Sequence, residues 1–318
     1  MLTINEVKEA QKRLDPYVYK TPLIRLRNLD SYLNCQVYVK AECMQLTNSF
    51  KIRGALNKAL QLTPEELKNG IVTASSGNHG RGVAYAAKML GVKATIVIPD
   101  HAPKVKQEAI KALGAEVILC DKAKRFDIAE RISKEQQCCY IHPFNDYDVM
   151  AGQGTAALEI LEELPDADAI LTPIGGGGLI SGIATGAKGV KANIKIYGCE
   201  PAQFPRYTVS IAAGKIIKIP MGDSIADGIQ SLAPGDKTFP IVQALVDRVF
   251  AVEEEYIYKG MKLLLNYGKV LAEPSSSISI GAVMQGLCRF RQEDKVVFLL
   301  SGGNVDLSLI SKLETIKL

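Results

Sequence analysis

Seven cysteines are present, yet no two are spaced as Cys-x-x-Cys, and Cys138 and Cys139 stand side by side. An odd count without that spacing argues against a disulfide framework and a structural zinc site, and reads as free thiols in a reducing cytosol. No block of lysine and arginine with interleaved aromatics occurs. The 38 basic and 34 acidic residues are scattered and leave a net charge of only +4, so a nucleic-acid partner is not expected. No apolar run approaches the roughly 18 residues of a membrane span. The opening Met1-Leu2-Thr3-Ile4-Asn5-Glu6 lacks the basic region and apolar core of a signal peptide, so a cytoplasmic location is expected. Internal repeats and low-complexity tracts are also missing.

What remains is a soluble globular composition, 47% hydrophobic and 23% charged, in 318 residues. That length holds one large domain or two closely associated ones. A Thr3-x-x-Glu6 capping box before Val7, Ala10 and Leu14 predicts a first helix, which Pro16 ends. The alternation at 37–40 predicts a strand. Strands at 71–74, 94–98, 116–120 and 139–141 then alternate with helices at 81–90, 104–113 and 123–136. Short apolar strands in this order predict a parallel sheet covered on both faces. The segment 146–154 reads as a crossing between two lobes. Beyond it, strands are predicted at 169–173, 195–199, 248–252 and 296–300, and helices at 155–164, 179–188, 253–267 and 275–287. The irregular stretch 214–227 reads as a loop over a site.

The chain is organised around Asn48-Ser49-Phe50-Lys51-Ile52-Arg53-Gly54-Ala55, where Ser49 reads as the N-cap of a helix over 50–62. Lys51 lies between Phe50 and Ile52. One reading is an ordinary helix lysine with its head in water. The other is an ammonium among apolar neighbours, disfavoured in its charged form and therefore a nucleophile fit for a Schiff base with an aldehyde cofactor.

Three further motifs each follow a predicted strand. Gly175-Gly176-Gly177-Gly178 can close backbone N–H groups around a phosphate at a helix N-terminus. It lacks the Gly-Lys-Ser/Thr ending of a nucleotide loop, and no dinucleotide fingerprint is present. Ser75-Ser76-Gly77-Asn78-His79-Gly80 could hold a carboxylate on its N–H groups, with Asn78 bonding a cofactor oxygen. His79 reads either as a base or as a helix residue making a local hydrogen bond. In Ser301-Gly302-Gly303-Asn304 the serine could donate to a ring nitrogen, or simply cap a turn. Asp227 and Glu273 are candidate site carboxylates, or loop and cap residues.

Together these motifs resemble the fold-type II pyridoxal-phosphate enzymes, above all the threonine/serine dehydratases and serine racemases. The resemblance covers nearly the whole chain, in order. It implies a two-lobed α/β fold like the tryptophan synthase β subunit, with parallel-rich twisted sheets flanked by helices. Residues 1–52 and 146–318 would form a large cofactor-binding domain and 53–145 a small inserted one, in a homodimer. It further implies that Lys51 carries the Schiff base with pyridoxal 5′-phosphate and removes the substrate α-proton. Phe50 would pack beside the ring, Asn78 bond its phenolic oxygen, Gly175, Gly176, Gly177 and Gly178 hold the phosphate, and Ser301 bond the pyridine nitrogen. Ser76 would be the acid/base on the opposite face, and Ser75, Ser76, Gly77, Asn78 and His79 would hold the substrate carboxylate.

The implied reaction is α,β-elimination of water from L-threonine or L-serine, giving a 2-oxo acid and ammonia. Serine racemase and 3-hydroxyaspartate dehydratase are the alternatives, with Arg125, Arg206 or Phe144 as residues that could shape the choice. A non-catalytic ligand-binding relative is the alternative of another class, and a hydride-transfer enzyme is disfavoured by the missing fingerprint. Serine racemases and some dehydratases bind a divalent cation through a glutamate and, six residues on, an aspartate. Here Glu200 matches, but Arg206 stands at the second position, where its guanidinium would repel a cation and could pair with Glu200 instead. A metal is therefore doubted. The chain stops at Leu318, so feedback control through a C-terminal regulatory domain is not expected.

Overall fold

A computed structural model describes residues 1–75, 77–100, 102 and 104–318. Among the described residues, ten strands form two sheets. They are β1 (Leu23–Arg25), β2 (Gln36–Ala41), β3 (Ile71–Ala74), β4 (Ala94–Pro99), β5 (Glu116–Cys120), β6 (Cys139–Tyr140), β7 (Ala169–Pro173), β8 (Lys195–Pro201), β9 (Arg248–Val252) and β10 (Lys295–Leu300). The larger sheet has the order β1-β2-β10-β7-β8-β9 and the smaller β5-β4-β3-β6. Every pairing is parallel except β1 with β2.

The apolar runs of β3, β4, β7 and β10 follow from burial on both faces. In β10, Val296, Phe298 and Leu300 pack into one core with Val37 and Val39, while Val297 and Leu299 join Ile170 and Ile196 in another. In the smaller sheet Ile71, Ile96 and Ile98 face one core, and Val72, Ala74 and Val97 the other. The predicted α/β fold class, with parallel-rich sheets flanked by helices, is borne out.

Three local expectations are corrected. The helix expected from residue 155 starts earlier, within the segment 146–154. It spans Tyr147–Glu163, capped by the Asp146 carboxylate, which accepts from the N–H groups of Asp148 and Val149. Its glycines serve packing. A Cβ at Gly152 would lie 2.5 Å from the Arg53 carbonyl oxygen, and one at Gly154 2.6 Å from that of Gly182. Ser49 is not the N-cap of the central helix. The helix is Lys51–Ala59 with Phe50 at the cap position, while Ser49 bridges to Gly302. The helix after β3 starts at Asn78 rather than at residue 81, which puts Asn78 and His79 in its first turn.

The two sheet orders say where a site belongs. In the smaller sheet the chain runs outward from β3 to β4 and β5, then returns to β6 on the other side of β3. In the larger it runs from β7 to β8 and β9, with β10 on the opposite flank of β7. Open parallel sheets leave a crevice at such reversals, outside the carboxyl ends of the strands. The segments leaving β3, β6, β7 and β10 carry Ser75, Gly77 and the helix start at Asn78, His142–Phe144, the four glycines and Ser301–Asn304.

Candidate active site

Lys51 is tied to the β10 exit through its neighbours. Phe50 N–H donates to the Ser301 carbonyl at 3.0 Å, and Gly303 N–H to that of Asn48 at 2.9 Å. From the first position of its helix, Lys51 Nζ donates to the Pro143 carbonyl at 2.7 Å and lies 5.1 Å from the centroid of the Phe50 ring. Burial lowers its pKa to about 8, against a smaller opposing pull from the Glu273 carboxylate. The apolar setting read from the sequence thus yields an amine that loses its proton closer to neutral pH than an exposed lysine does.

At the β3 exit, Gly77 N–H donates to Ser75 Oγ at 3.3 Å, and the side of Gly77 where a Cβ would stand is open. Ser76 lies outside the described residues. Asn78 Nδ2 donates to both Glu273 oxygens, at 2.9 and 3.1 Å, and its Oδ1 accepts from Asn304 Nδ2 at 2.7 Å. His79 is buried, with Nε2 at 3.0 Å from the Ile141 carbonyl. A carbonyl only accepts, so Nε2 carries the proton. Burial and the nearby Lys51 hold the ring neutral. Its side chain therefore anchors the helix to the β6 exit.

The glycine turn is held from behind. Arg206 Nε donates to the Gly175 carbonyl at 3.0 Å and Nη2 to that of Ile174. The Gly176 carbonyl accepts from Thr238 Oγ1 at 2.7 Å, Tyr207 Oη at 3.1 Å and Gly235 N–H at 3.2 Å. In a planar trans peptide the N–H points opposite to the preceding carbonyl. The N–H groups of Gly175, Gly176 and Gly177 are thereby turned away from these donors. Beside them start the unpaired N–H groups of the helix Gly178–Val190. Side chains have no room here. A Cβ at Gly176 would lie 2.4 Å from the Phe144 ring, and Gly177 adopts φ +99° with Tyr207 Oη 2.0 Å from where its Cβ would be.

Ser301 is buried and its Oγ is 3.0 Å from Ser276 Oγ. Ser276 Oγ also accepts from Gly302 N–H at 2.7 Å and donates to the Gly302 carbonyl at 2.7 Å. With the one Ser276 proton committed to that carbonyl, the Ser301 hydroxyl is the donor of the pair, and its proton is the one that can rotate from Ser276 toward a ring nitrogen.

Of the two candidate carboxylates, Glu273 is the buried one, pushed up to about 7 by burial despite its bond from Asn78. Asp227 is more than half exposed and pairs with Lys106 at 2.7 Å on the rim. Arg125 stacks on Phe126 and donates to the Lys122 carbonyl.

The donor set fits an aldehyde-bearing pyridine with a phosphate arm: an amine of lowered pKa, a cradle of N–H groups that a Cβ would fill, and a neutral hydroxyl. A profile of the pyridoxal-phosphate dependent enzymes matches residues 14–302. The chain belongs to that family. It is 41% identical over 313 residues to a serine racemase of Oryza sativa subsp. indica, covering 96% of this chain and 92% of the relative. It is 40% identical over 317 residues to an L-threonine ammonia-lyase of Thermotoga maritima, covering 98% of this chain and 78% of the relative. The structure of maize serine racemase superposes with a TM-score of 0.93 at 39% identity, covering 98% and 96% of the two chains. The family cofactor, pyridoxal 5′-phosphate, is therefore the cofactor of this protein, and the protein is an enzyme.

Several residues of the site escaped sequence reasoning. Pro143 meets Lys51, and Phe144, which entered the sequence reading only as a residue that could shape substrate choice, meets the glycine turn; both follow His142, whose Nδ1 accepts the N–H groups of Phe144 (3.2 Å) and Asn145 (2.8 Å). Burial lowers the His142 pKa to about 4, which keeps it a neutral acceptor. The His-Pro pair ending a strand was the available signal. Tyr207, Thr238 and Ser276 offered none, because they act through carbonyls distant in the chain.

Proposed function

We propose that the protein is an ammonia-lyase for L-threonine and L-serine, removing water across the Cα–Cβ bond to leave a 2-oxo acid and ammonia. The observation that carries this reading is the Lys51 amine, of lowered pKa, in one crevice with a neutral hydroxyl at Ser301. Bound pyridoxal 5′-phosphate supplies an aldehyde for the amine and an electron sink for the bond being broken.

The chain's own residues do the rest. Gly175, Gly176, Gly177 and Gly178 hold the phosphate, and Phe50 lines the ring. Asn78 reaches the phenolic oxygen with the second hydrogen of Nδ2, the first staying on Glu273. Ser301 donates to the pyridine nitrogen without giving up its proton, which draws less charge into the ring than a carboxylic acid would and favours departure of the β-hydroxyl. The Ser75–His79 turn orients the substrate carboxylate through its N–H groups, with Ser75, Ser76, Gly77, Asn78 and His79 contributing. Lys51, as a free amine of lowered pKa, would take the α-proton.

Racemisation of serine is the second reading. It is favoured by relatives bearing that name, and it would use Ser76 to return a proton on the opposite face. A 3-hydroxyaspartate substrate is less well supported, since Arg206 is spent on backbone carbonyls behind the glycine turn.

We further infer lobes at 1–52 with 146–318 and at 53–145. All four strands of the smaller sheet lie within the second range. A homodimer in the cytoplasm completes the reading. Among the described residues no helix is long and apolar enough to cross a membrane.

The test is product analysis of the cofactor-loaded protein with L-threonine, L-serine and 3-hydroxyaspartate in turn. 2-Oxobutanoate from threonine supports the lyase. Mainly D-serine from serine, with little 2-oxo acid, would replace it by the racemase.

A further inference from the structure

Arg206 is fully buried at the start of the helix Arg206–Ala213. Its guanidinium spends its donors on backbone: Nε on the Gly175 carbonyl (3.0 Å), Nη1 on that of Phe204 (2.7 Å) and Nη2 on that of Ile174. Glu200 of β8 lies 4.0 Å from Nε and is itself buried. Its carboxylate accepts from Tyr207 N–H at 3.0 Å, Thr208 N–H at 2.7 Å and Thr208 Oγ1 at 2.7 Å. Three carbonyl oxygens and a carboxylate around one buried point are the ligand set a hard divalent cation would take. Here the chain has put a guanidinium at that point. The carbonyls are used, the charge is balanced by Glu200, and a second cation would meet like charge. The residues present do not fit a divalent ion.

The consequence lies on the other side of the turn. By holding the carbonyls of Ile174 and Gly175, Arg206 turns the N–H groups of Gly175 and Gly176 into the crevice. A fixed fork of donors does this more rigidly than a single-point charge can.

We propose that Arg206 is a built-in cation that sets the phosphate-binding turn, so that the enzyme grips the phosphate arm of its cofactor without a divalent metal at this place. The proposal rests on reading Gly175–Gly178 as the phosphate cradle. Arg206 is a positioning residue, since it acts through the backbone and touches neither cofactor nor substrate.

The readout specific to this role is the preference for pyridoxal 5′-phosphate over pyridoxal, which differ only in the phosphate. Dissociation constants for both would be measured on full-length protein, for wild type, Arg206→Lys and Arg206→Met, each with and without EDTA and with added magnesium. The wild type should show a strong preference that neither EDTA nor magnesium alters. Arg206→Met should lose about tenfold to a hundredfold of that preference, the scale on which groups that orient a ligand shell act. Arg206→Lys, which keeps the charge but not the fork, should fall between. The ³¹P resonance of the bound cofactor should shift in both variants.

If Arg206→Met does not fold, Arg206→Lys carries the test alone. An unchanged preference and resonance in the variants, beside a strong one in wild type, would overturn the role of Arg206 and leave the cradle standing. A wild type without any preference would overturn the cradle and the proposal with it. A wild-type preference lost in EDTA and restored by magnesium would overturn the metal-free grip.

Discussion

The Asn78 side-chain amide spans both Glu273 oxygens, at 2.9 and 3.1 Å, and so joins the loop leaving the smaller sheet to the segment that precedes the helix Pro274–Met284. This contact places a carboxyl group in the crevice beside Lys51, with burial holding it partly protonated near neutrality.

Glu273 titrates at about 7 in the folded chain, against an ordinary value of 4.5. Between those values the folded state keeps a proton that the unfolded state releases, so folding stability falls as pH rises through that window and stays lower above it. Glu273→Gln should abolish that slope. Its unfolding free energy, read from denaturant unfolding, should gain on wild type above neutral pH by up to a few kcal/mol, at about 1.4 kcal/mol per pKa unit, and show no gain at pH ~5. Equal pH dependence in the two proteins would contradict the buried, proton-holding carboxyl.

Gly177→Ala should weaken cofactor binding by about tenfold or more, equivalent to about 1.4 kcal/mol. The new Cβ would meet Tyr207 Oη, and the φ of +99° strains any residue with a side chain. Fluorescence titration with pyridoxal 5′-phosphate measures it. An unchanged dissociation constant would mean that the turn is not gripped as described.

Arg53, two residues after Lys51, closes a buried network. It donates to Glu42 at 2.8 and 2.9 Å and to Glu159 at 2.6 and 2.9 Å, while Lys40 Nζ lies 2.6 Å from Glu159. Two cations balance two carboxylates here. Arg53→Met leaves one carboxylate unpaired and should cost about 3–5 kcal/mol, read from denaturant unfolding. A loss below ~1 kcal/mol, the worth of an exposed pair, would contradict the network.

Much of this was legible in the chain. Most strands could be read because each is a short apolar run bounded by turn residues, and the three strand-exit motifs because glycines end such a run. What failed did so for physical reasons. Gly152 and Gly154 look like helix breakers but are the close-contact points of a long helix. Ser49 has the chemistry of a cap, yet its backbone is already paired with Gly302. Asp227 and Glu273 could not be separated, because burial of a carboxylate is decided by what folds over it. Arg206 read as a misfit at a metal position or as a candidate substrate contact. Its actual partners, the carbonyls of Ile174, Gly175 and Phe204, carry no side-chain signature.

The central claim is that Lys51, and no other lysine, is the amine that joins the cofactor. The direct test is to load the purified protein with pyridoxal 5′-phosphate, reduce the carbon–nitrogen double bond with borohydride, and locate the modified residue by peptide mass spectrometry. The account predicts one pyridoxyl group per chain, on Lys51, with Lys51→Ala unmodified and its turnover down by about a thousandfold, within the range of a lost general base. Label on a different lysine, or an active Lys51→Ala protein, would contradict it.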